Sequence, residues 1–197
     1  MAKLYFRFGT VGSAKTLTLL AIAHNYRQQG KQVLLIKPEI DTRFGKENIK
    51  SRAGLEMPAD IIVGPDTKIV LNGLDNVHCI IVDEAQFLST YIVDQLRTIA
   101  HENDIPVICY GLRTDFKSNL FEGSKRLLEL ADSIEEMKAT CHFCNKKSIM
   151  NLKHVNGKAV SDGPSIELGA EEKYFPSCYK CYKEQVEAGK LQEPALV

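Results

Sequence analysis

The 197-residue chain carries 25 Lys+Arg against 25 Asp+Glu, a formal net charge of zero, and so lacks the basic excess of a protein that lives on nucleic acid. Its length suffices for one full core and a small appendage and leaves little room for two large domains. No apolar run is long enough to span a bilayer, and the N-terminus lacks a charged-apolar-small signal pattern, so a cytoplasmic protein with no membrane and no nucleic-acid partner is expected.

From Met1 to about Ala139 strand and helix alternate. Lys3 to Phe8 reads as a first strand and runs into Gly9-Thr10-Val11-Gly12-Ser13-Ala14-Lys15-Thr16. This is the phosphate-loop pattern G-x-x-x-x-G-K-[ST] with Ala14 in place of the second glycine. A helix from Lys15 to about Gln29, ended by Gly30, completes the strand–loop–helix context such a loop requires. Successive backbone N–H groups at that helix N-terminus form an anion nest. Lys15 is placed to reach the β/γ-phosphates and the Thr16 hydroxyl to ligate Mg²⁺ beside ATP. If position 14 needs a positive φ, alanine there costs about 1 kcal/mol, an amount neighbouring contacts can offset.

Further strands are expected at Val33 to Lys37, closed by Pro38, at Ile61 to Val63, at Cys79 to Val82 and at Pro106 to Tyr110. Ser89 is an N-cap candidate for a helix running to about Glu102, and Ser124 to about Ala131 reads as another helix. Near-continuous apolar strands between helices predict an α/β domain over 1–139, a mostly parallel sheet with helices on both faces. Ligands of such sheets bind at the strand carboxyl ends, so the loops at Gly9, Asp41, Asp83 and Gly111 are expected to share one crevice.

The apolar strand Cys79-Ile80-Ile81-Val82 ends in Asp83-Glu84, the Walker-B arrangement. Asp83 is expected to hold Mg²⁺ together with Thr16, and Glu84 to take a proton from an attacking nucleophile. Water as that nucleophile makes an ATPase and a substrate hydroxyl makes a kinase. Composition and spacing do not decide between them.

Beyond Thr140 the helical period fades and short polar strands appear at Ser148 to Val155 and Lys158 to Val160. Asn156-Gly157 between them signals a hairpin. This small β-rich module, 140–190, is too thin to hold itself together by apolar burial and is followed by a tail, 191–197, expected to be disordered. Of six cysteines, Cys79 and Cys109 lie in apolar runs and read as buried core thiols. Cys141/Cys144 and Cys178/Cys181 form two C-x-x-C knuckles, a complete tetrahedral set for Zn²⁺ with no open position, hence a structural site. Their spacing is longer than that of an ordinary ribbon and implies an excursion with another purpose.

Asp83-Glu84-Ala85-Gln86-Phe87 after a phosphate loop, then Tyr110-Gly111-Leu112-Arg113-Thr114-Asp115-Phe116, then the paired knuckles, resemble the type II (cellular-type) thymidine kinase family. Asp41-Thr42-Arg43-Phe44, Phe121-Glu122-Gly123-Ser124, and Gly169 with Glu172-Lys173-Tyr174 add to the resemblance. It implies a P-loop, RecA-like fold with a zinc-binding lasso domain, and transfer of the ATP γ-phosphoryl group to the 5′-hydroxyl of thymidine. Glu84 then corresponds to the general base and Arg43 to the arginine beside the transferring phosphoryl. The ATP site is Gly9, Thr10, Val11, Gly12, Ser13, Ala14, Lys15, Thr16, Asp83 and Gln86. Val11, Phe87, Leu112, Phe116 and Phe121 correspond to the thymine pocket and Tyr174 to the lid, although Phe121 taken alone reads as a core or loop residue. A homotetramer is implied as well. Ala14, Val11, Ala85 and Ala170 depart from the family pattern. Two other readings are a RecA-like zinc-ribbon ATPase acting with DNA, in which Glu84 activates water, and a nucleotide-binding scaffold without catalysis.

Overall fold

The computed structural model describes residues 1–43, 45–70, 76–163 and 173–191. A six-stranded sheet is built from β1 (Leu4–Phe8), β2 (Gln32–Pro38), β5 (Ile61–Val63), β6 (Val77–Val82), β7 (Val107–Gly111) and β8 (Ser133–Glu136). Its order is β5-β2-β6-β7-β1-β8, and every pairing within it is parallel. Between β2 and β5 an antiparallel hairpin, β3 (Asn48–Lys50) and β4 (Glu56–Pro58), stands off the main sheet.

The central strands β6 and β7 are apolar almost throughout because both their faces are covered. Val33 and Leu35 of β2 face one way and pack with Leu19, Leu20 and Ala23 of α1 (Lys15–Gln28). Leu34 and Ile36 face the other way, into a cluster with Ile92, Val93 and Leu96 of α2 (Thr90–Glu102) and Leu127 of α3 (Glu122–Leu130). Each such fully buried aliphatic side chain contributes roughly 1.5–3 kcal/mol. Ser89 caps α2 as expected, its Oγ accepting from Ile92 N at 3.3 Å. The approach of α3 to the strand ends requires glycine at Gly123, where a Cβ would stand 2.3 Å from the Ala85 carbonyl oxygen.

The second module is a three-stranded antiparallel sheet, ordered β10-β9-β11, of β9 (Met150–Val155), β10 (Lys158–Val160) and β11 (Lys173–Ser177). Asn156 (φ 50°) and Gly157 (φ 79°) make the turn between β9 and β10 with two left-handed residues, the geometry the Asn-Gly pair favours. A helix not foreseen from the sequence, α4 (Tyr179–Leu191), follows Cys178 and carries Cys181. The tail expected from 191 lies outside the described residues except for Leu191, which closes α4. Gly169, Ala170 and Glu172 of the expected lid also lie outside them. No helix among the described residues is long and apolar enough to cross a membrane.

Candidate active site

The carboxyl ends of β1, β2, β6 and β7 bring the four expected loops together. Gly9 N donates to Gly111 O at 3.2 Å, and there is no room for a side chain at Gly9, where a Cβ would meet Ser13 Oγ at 2.4 Å. Ala14 adopts the left-handed conformation, φ 59° and ψ 24°, at the N-cap of α1, and neither a side-chain cap nor an acidic residue in the first turn occupies that helix end. The loop thus takes the shape its glycine-containing form prefers, with a methyl group carried at a strained position. Lys15 folds along the loop, its Nζ donating to Thr10 O at 2.7 Å, Gly9 O at 3.1 Å and Ser13 Oγ at 3.2 Å. Burial lowers its pKa to about 8, against the pull of the Glu84 and Asp83 carboxylates.

At the tip of β6 the two adjacent carboxylates part. Asp83 accepts from Thr16 Oγ1 at 3.2 and 3.3 Å, and burial together with the neighbouring Glu84 charge raises its pKa to about 7. Glu84 takes a left-handed backbone, φ 49° and ψ 39°, a strain of order 1 kcal/mol held by its surroundings. This turn aims its carboxylate away from Asp83. One oxygen accepts from Arg43 Nη2 and the other from Gln86 Nε2. Gln86, 1% exposed, uses its own Oε1 to accept from Leu112 N at 3.0 Å. Both ends of the Gln86 amide are therefore engaged by protein, on Glu84 and on the loop after β7.

Arg43 also donates from Nε to Asp41 Oδ1 at 2.8 Å. Burial opposes the charge on Arg43, and Glu84 and Asp41 more than offset it, so its pKa rises above the ordinary value. Burial also opposes the Asp41 charge, but the Arg43 hydrogen bond and the positive charges of Arg43 and Lys37 hold Asp41 below the ordinary carboxylate range.

The aromatic residues fall into two groups. Phe87, in the 3-10 turn Ala85–Phe87 after β6, meets Phe121 edge-on with ring centroids 5.6 Å apart. Phe116 is 1% exposed, with Lys153 Nζ 4.9 Å above its ring. Tyr174 sits opposite Lys153 in the β9–β11 register. Leu112 and Val11 engage neighbours through their backbones: Leu112 N to Gln86, and Val11 N to Asn151 Oδ1 at 2.9 Å.

The cysteines meet as expected, with the four Sγ atoms of Cys141, Cys144, Cys178 and Cys181 within 4.8 Å of one another. A tetrahedron with metal–sulfur bonds of ~2.3 Å has sulfur–sulfur edges of ~3.8 Å, and Cys144 Sγ lies 3.7 Å from Cys178 Sγ. The donor set fits zinc. Phe143 N and Cys181 N donate to Cys141 and Cys178 Sγ at 3.4 and 3.5 Å. At Cys141 burial raises the thiol pKa, yet backbone hydrogen bonds outweigh it and bring the value down to about 7.

The thymidine kinase family model matches residues 2–182. A thymidine kinase of Streptococcus gordonii is 44% identical over 185 residues, covering 92% of this chain and 96% of that protein. One from Streptococcus pyogenes serotype M28 is 43% identical, with 92% and 97% covered. One from Enterococcus faecalis is 43% identical, with 92% and 95% covered. The chain belongs to the thymidine kinase family. Among solved structures, the Pif1 helicase of Candida albicans superposes with a TM-score of 0.41 at 12% identity over 69% of this chain and 36% of that one, a likeness too slight to bear on fold or function. None of these relatives supports the DNA-linked ATPase.

Three residues of the site carry no sequence signal. Asn151 bridges the modules: besides accepting from Val11 N, it donates from Nδ2 to Thr114 O at 2.9 Å. Ser148 pairs its hydroxyl with that of Thr10 at 2.8 Å. Lys37 is buried beneath the Arg43 loop. Their partners lie far off in sequence or on loop carbonyls, so only a contact map reveals them.

Proposed function

We propose that this enzyme transfers the γ-phosphoryl group of ATP to the 5′-hydroxyl of thymidine, giving thymidine monophosphate and ADP. One observation carries the mechanistic reading: the left-handed turn at Glu84 separates two neighbouring carboxylates into two tasks. Asp83 faces the phosphate-loop hydroxyl, and Glu84 faces the arginine across the crevice.

The phosphate nest of Gly9 to Thr16 binds the triphosphate, and Lys15 exchanges loop carbonyls for β/γ-oxygens. Thr16 and Asp83 would hold Mg²⁺, which would neutralise charge on those oxygens. Glu84, steadied by Gln86, accepts the proton of the 5′-hydroxyl as it attacks. Arg43 stabilises charge on the transferring group. Phe87, Phe121, Leu112, Val11 and Phe116 enclose the thymine, with Tyr174 closing over it and excluding water that would otherwise compete. Cys141, Cys144, Cys178 and Cys181 would hold a zinc ion, which would anchor the closing segment. The homotetramer implied by the family resemblance is part of this reading, and sedimentation would show it.

The test is product formation from labelled thymidine with ATP and Mg²⁺, with single-stranded DNA as a separate arm. Thymidine-dependent ADP release matched by thymidine monophosphate is expected. ADP release driven by DNA and indifferent to thymidine would overturn the proposal in favour of the ATPase.

A further inference from the structure

Lys37 lies at the carboxyl end of β2 with 0% exposure, and neither the phosphate chemistry nor the thymine pocket uses it. Its ammonium donates to Asn48 O at 2.9 Å and to Gly45 O at 3.2 Å, and lies 3.4 Å from Asp41 Oδ2. The three contacts gather Asp41, Gly45 and the start of β3 at Asn48 onto the end of the sheet. Gly45 can turn its carbonyl inward because its φ of 90° is open to glycine. The other oxygen of Asp41 holds Arg43 Nε, and Arg43 reaches Glu84. A continuous line of charge therefore runs from the carboxyl end of β2, buried within the sheet, to the arginine of the crevice.

Arg43 is held at its guanidinium by Asp41 and Glu84, while its side chain is 49% exposed. A long exposed side chain on a loop loses its orientation unless something fixes the loop. Burying an ammonium is costly unless it is paired, so a lysine kept here with two carbonyl acceptors and a carboxylate beside it is a specific arrangement.

We propose that Lys37 is a positioning residue for phosphoryl transfer, acting through Asp41 to deliver the Arg43 guanidinium beside Glu84. The proposal rests on the role of Arg43 given above, and its test keeps the two apart. Lys37→Met, Arg43→Met and the double variant are compared by kcat in a thymidine-dependent ADP assay and by thymidine Kd in titration calorimetry. Lys37→Gln, which keeps an amide donor at the site, repeats the cycle should the methionine variant not fold.

Lys37→Met is expected to lower kcat by roughly 10–100-fold, in keeping with the cost of misplacing a catalytic group by about 1 Å, while thymidine Kd changes by less than about 2-fold. In the Arg43→Met background the same substitution is expected to change kcat by less than about 2-fold, because the two residues act as one unit. Equal losses of kcat in both backgrounds, unchanged kcat in Lys37→Met, or a thymidine Kd that moves with kcat would overturn the relay. Full kcat in Arg43→Met alone would instead overturn the role of Arg43, and the relay with it.

Discussion

Replacing Ala14 with glycine reverses the usual sign of an alanine-to-glycine substitution. Ala14 sits at φ 59°, where its Cβ crowds the following carbonyl at a cost of about 1–2 kcal/mol. Glycine removes that cost but adds about 0.4–1 kcal/mol of unfolded-state entropy. The methyl group is exposed, so no burial is lost. The balance is a gain of about 0.5–1 kcal/mol, or ~1–4 °C in Tm for a chain of this size. Ala21 is the control: it is exposed within α1, in ordinary helical conformation, and Ala21→Gly is expected to lose about 1 kcal/mol. Urea denaturation at pH 7.5, with thermal melts alongside, reads both. Two glycine substitutions moving stability in the same direction, or an Ala14→Gly loss above about 0.5 kcal/mol, would refute the strain argument.

Glu84→Gln is expected to lower phosphoryl transfer by about 10²–10⁴-fold while thymidine binding persists in calorimetry; near-normal turnover would remove Glu84 as the base. Cys178→Ser should reduce bound zinc, measured by elemental analysis, and raise the Michaelis constant for thymidine several-fold while far-UV circular dichroism of the main sheet persists. An unchanged Michaelis constant with zinc lost would separate the metal from the lid. Asp41→Asn is expected to cost about 1.5–3 kcal/mol at pH 7, because hydrogen bonds to charged groups are lost. Since the Asp41 pKa is lowered in the fold, this stability is present above the ordinary aspartate value of about 4 and disappears as pH falls through the lower folded value. Denaturation curves of the two proteins should therefore converge in acid, and a gap that is constant with pH would contradict the ion-pair origin.

What the sequence made legible was whatever leaves a local pattern. The phosphate loop, the apolar strand ending in Asp83-Glu84, the Ser89 cap, the Asn156-Gly157 turn and the cysteine knuckles each combine a residue type with a short spacing. The edge strand β8 escaped because Ser133-Ile134-Glu135-Glu136 is polar and Ile134 is 45% exposed, so it lacks the apolar run of a central strand. The hairpin β3–β4 escaped for the same reason, with only Ile49 deeply buried. The helix α4 escaped because Cys178-Tyr179-Lys180-Cys181 reads as a metal knuckle, although a helix begins at Tyr179 within it. The supports of the site were illegible for a different reason. Val11 and Asn151 are 140 residues apart, and Lys37 bonds loop carbonyls whose direction depends on backbone turns.

These supports also give a role to the small module that carries the four-cysteine cluster. Among the described residues this module buries few apolar side chains, chiefly Met150, Leu152 and Val186, with Phe143 and Phe175 half-buried against His142 and His154, and a thin module of that kind depends on a staple. It also reaches the phosphate loop and Phe116. Ser148 and Asn151 bond the phosphate loop at Thr10 and Val11, Lys153 covers Phe116, and Tyr182 Oη donates to Phe116 O at 2.6 Å from α4. The same small module therefore braces both the phosphate-loop segment and Phe116, which the proposed function places on the triphosphate side and the thymine side. Loosening the cysteine cluster should relax both at once, so a zinc-depleted enzyme is expected to lose affinity for ATP as well as for thymidine.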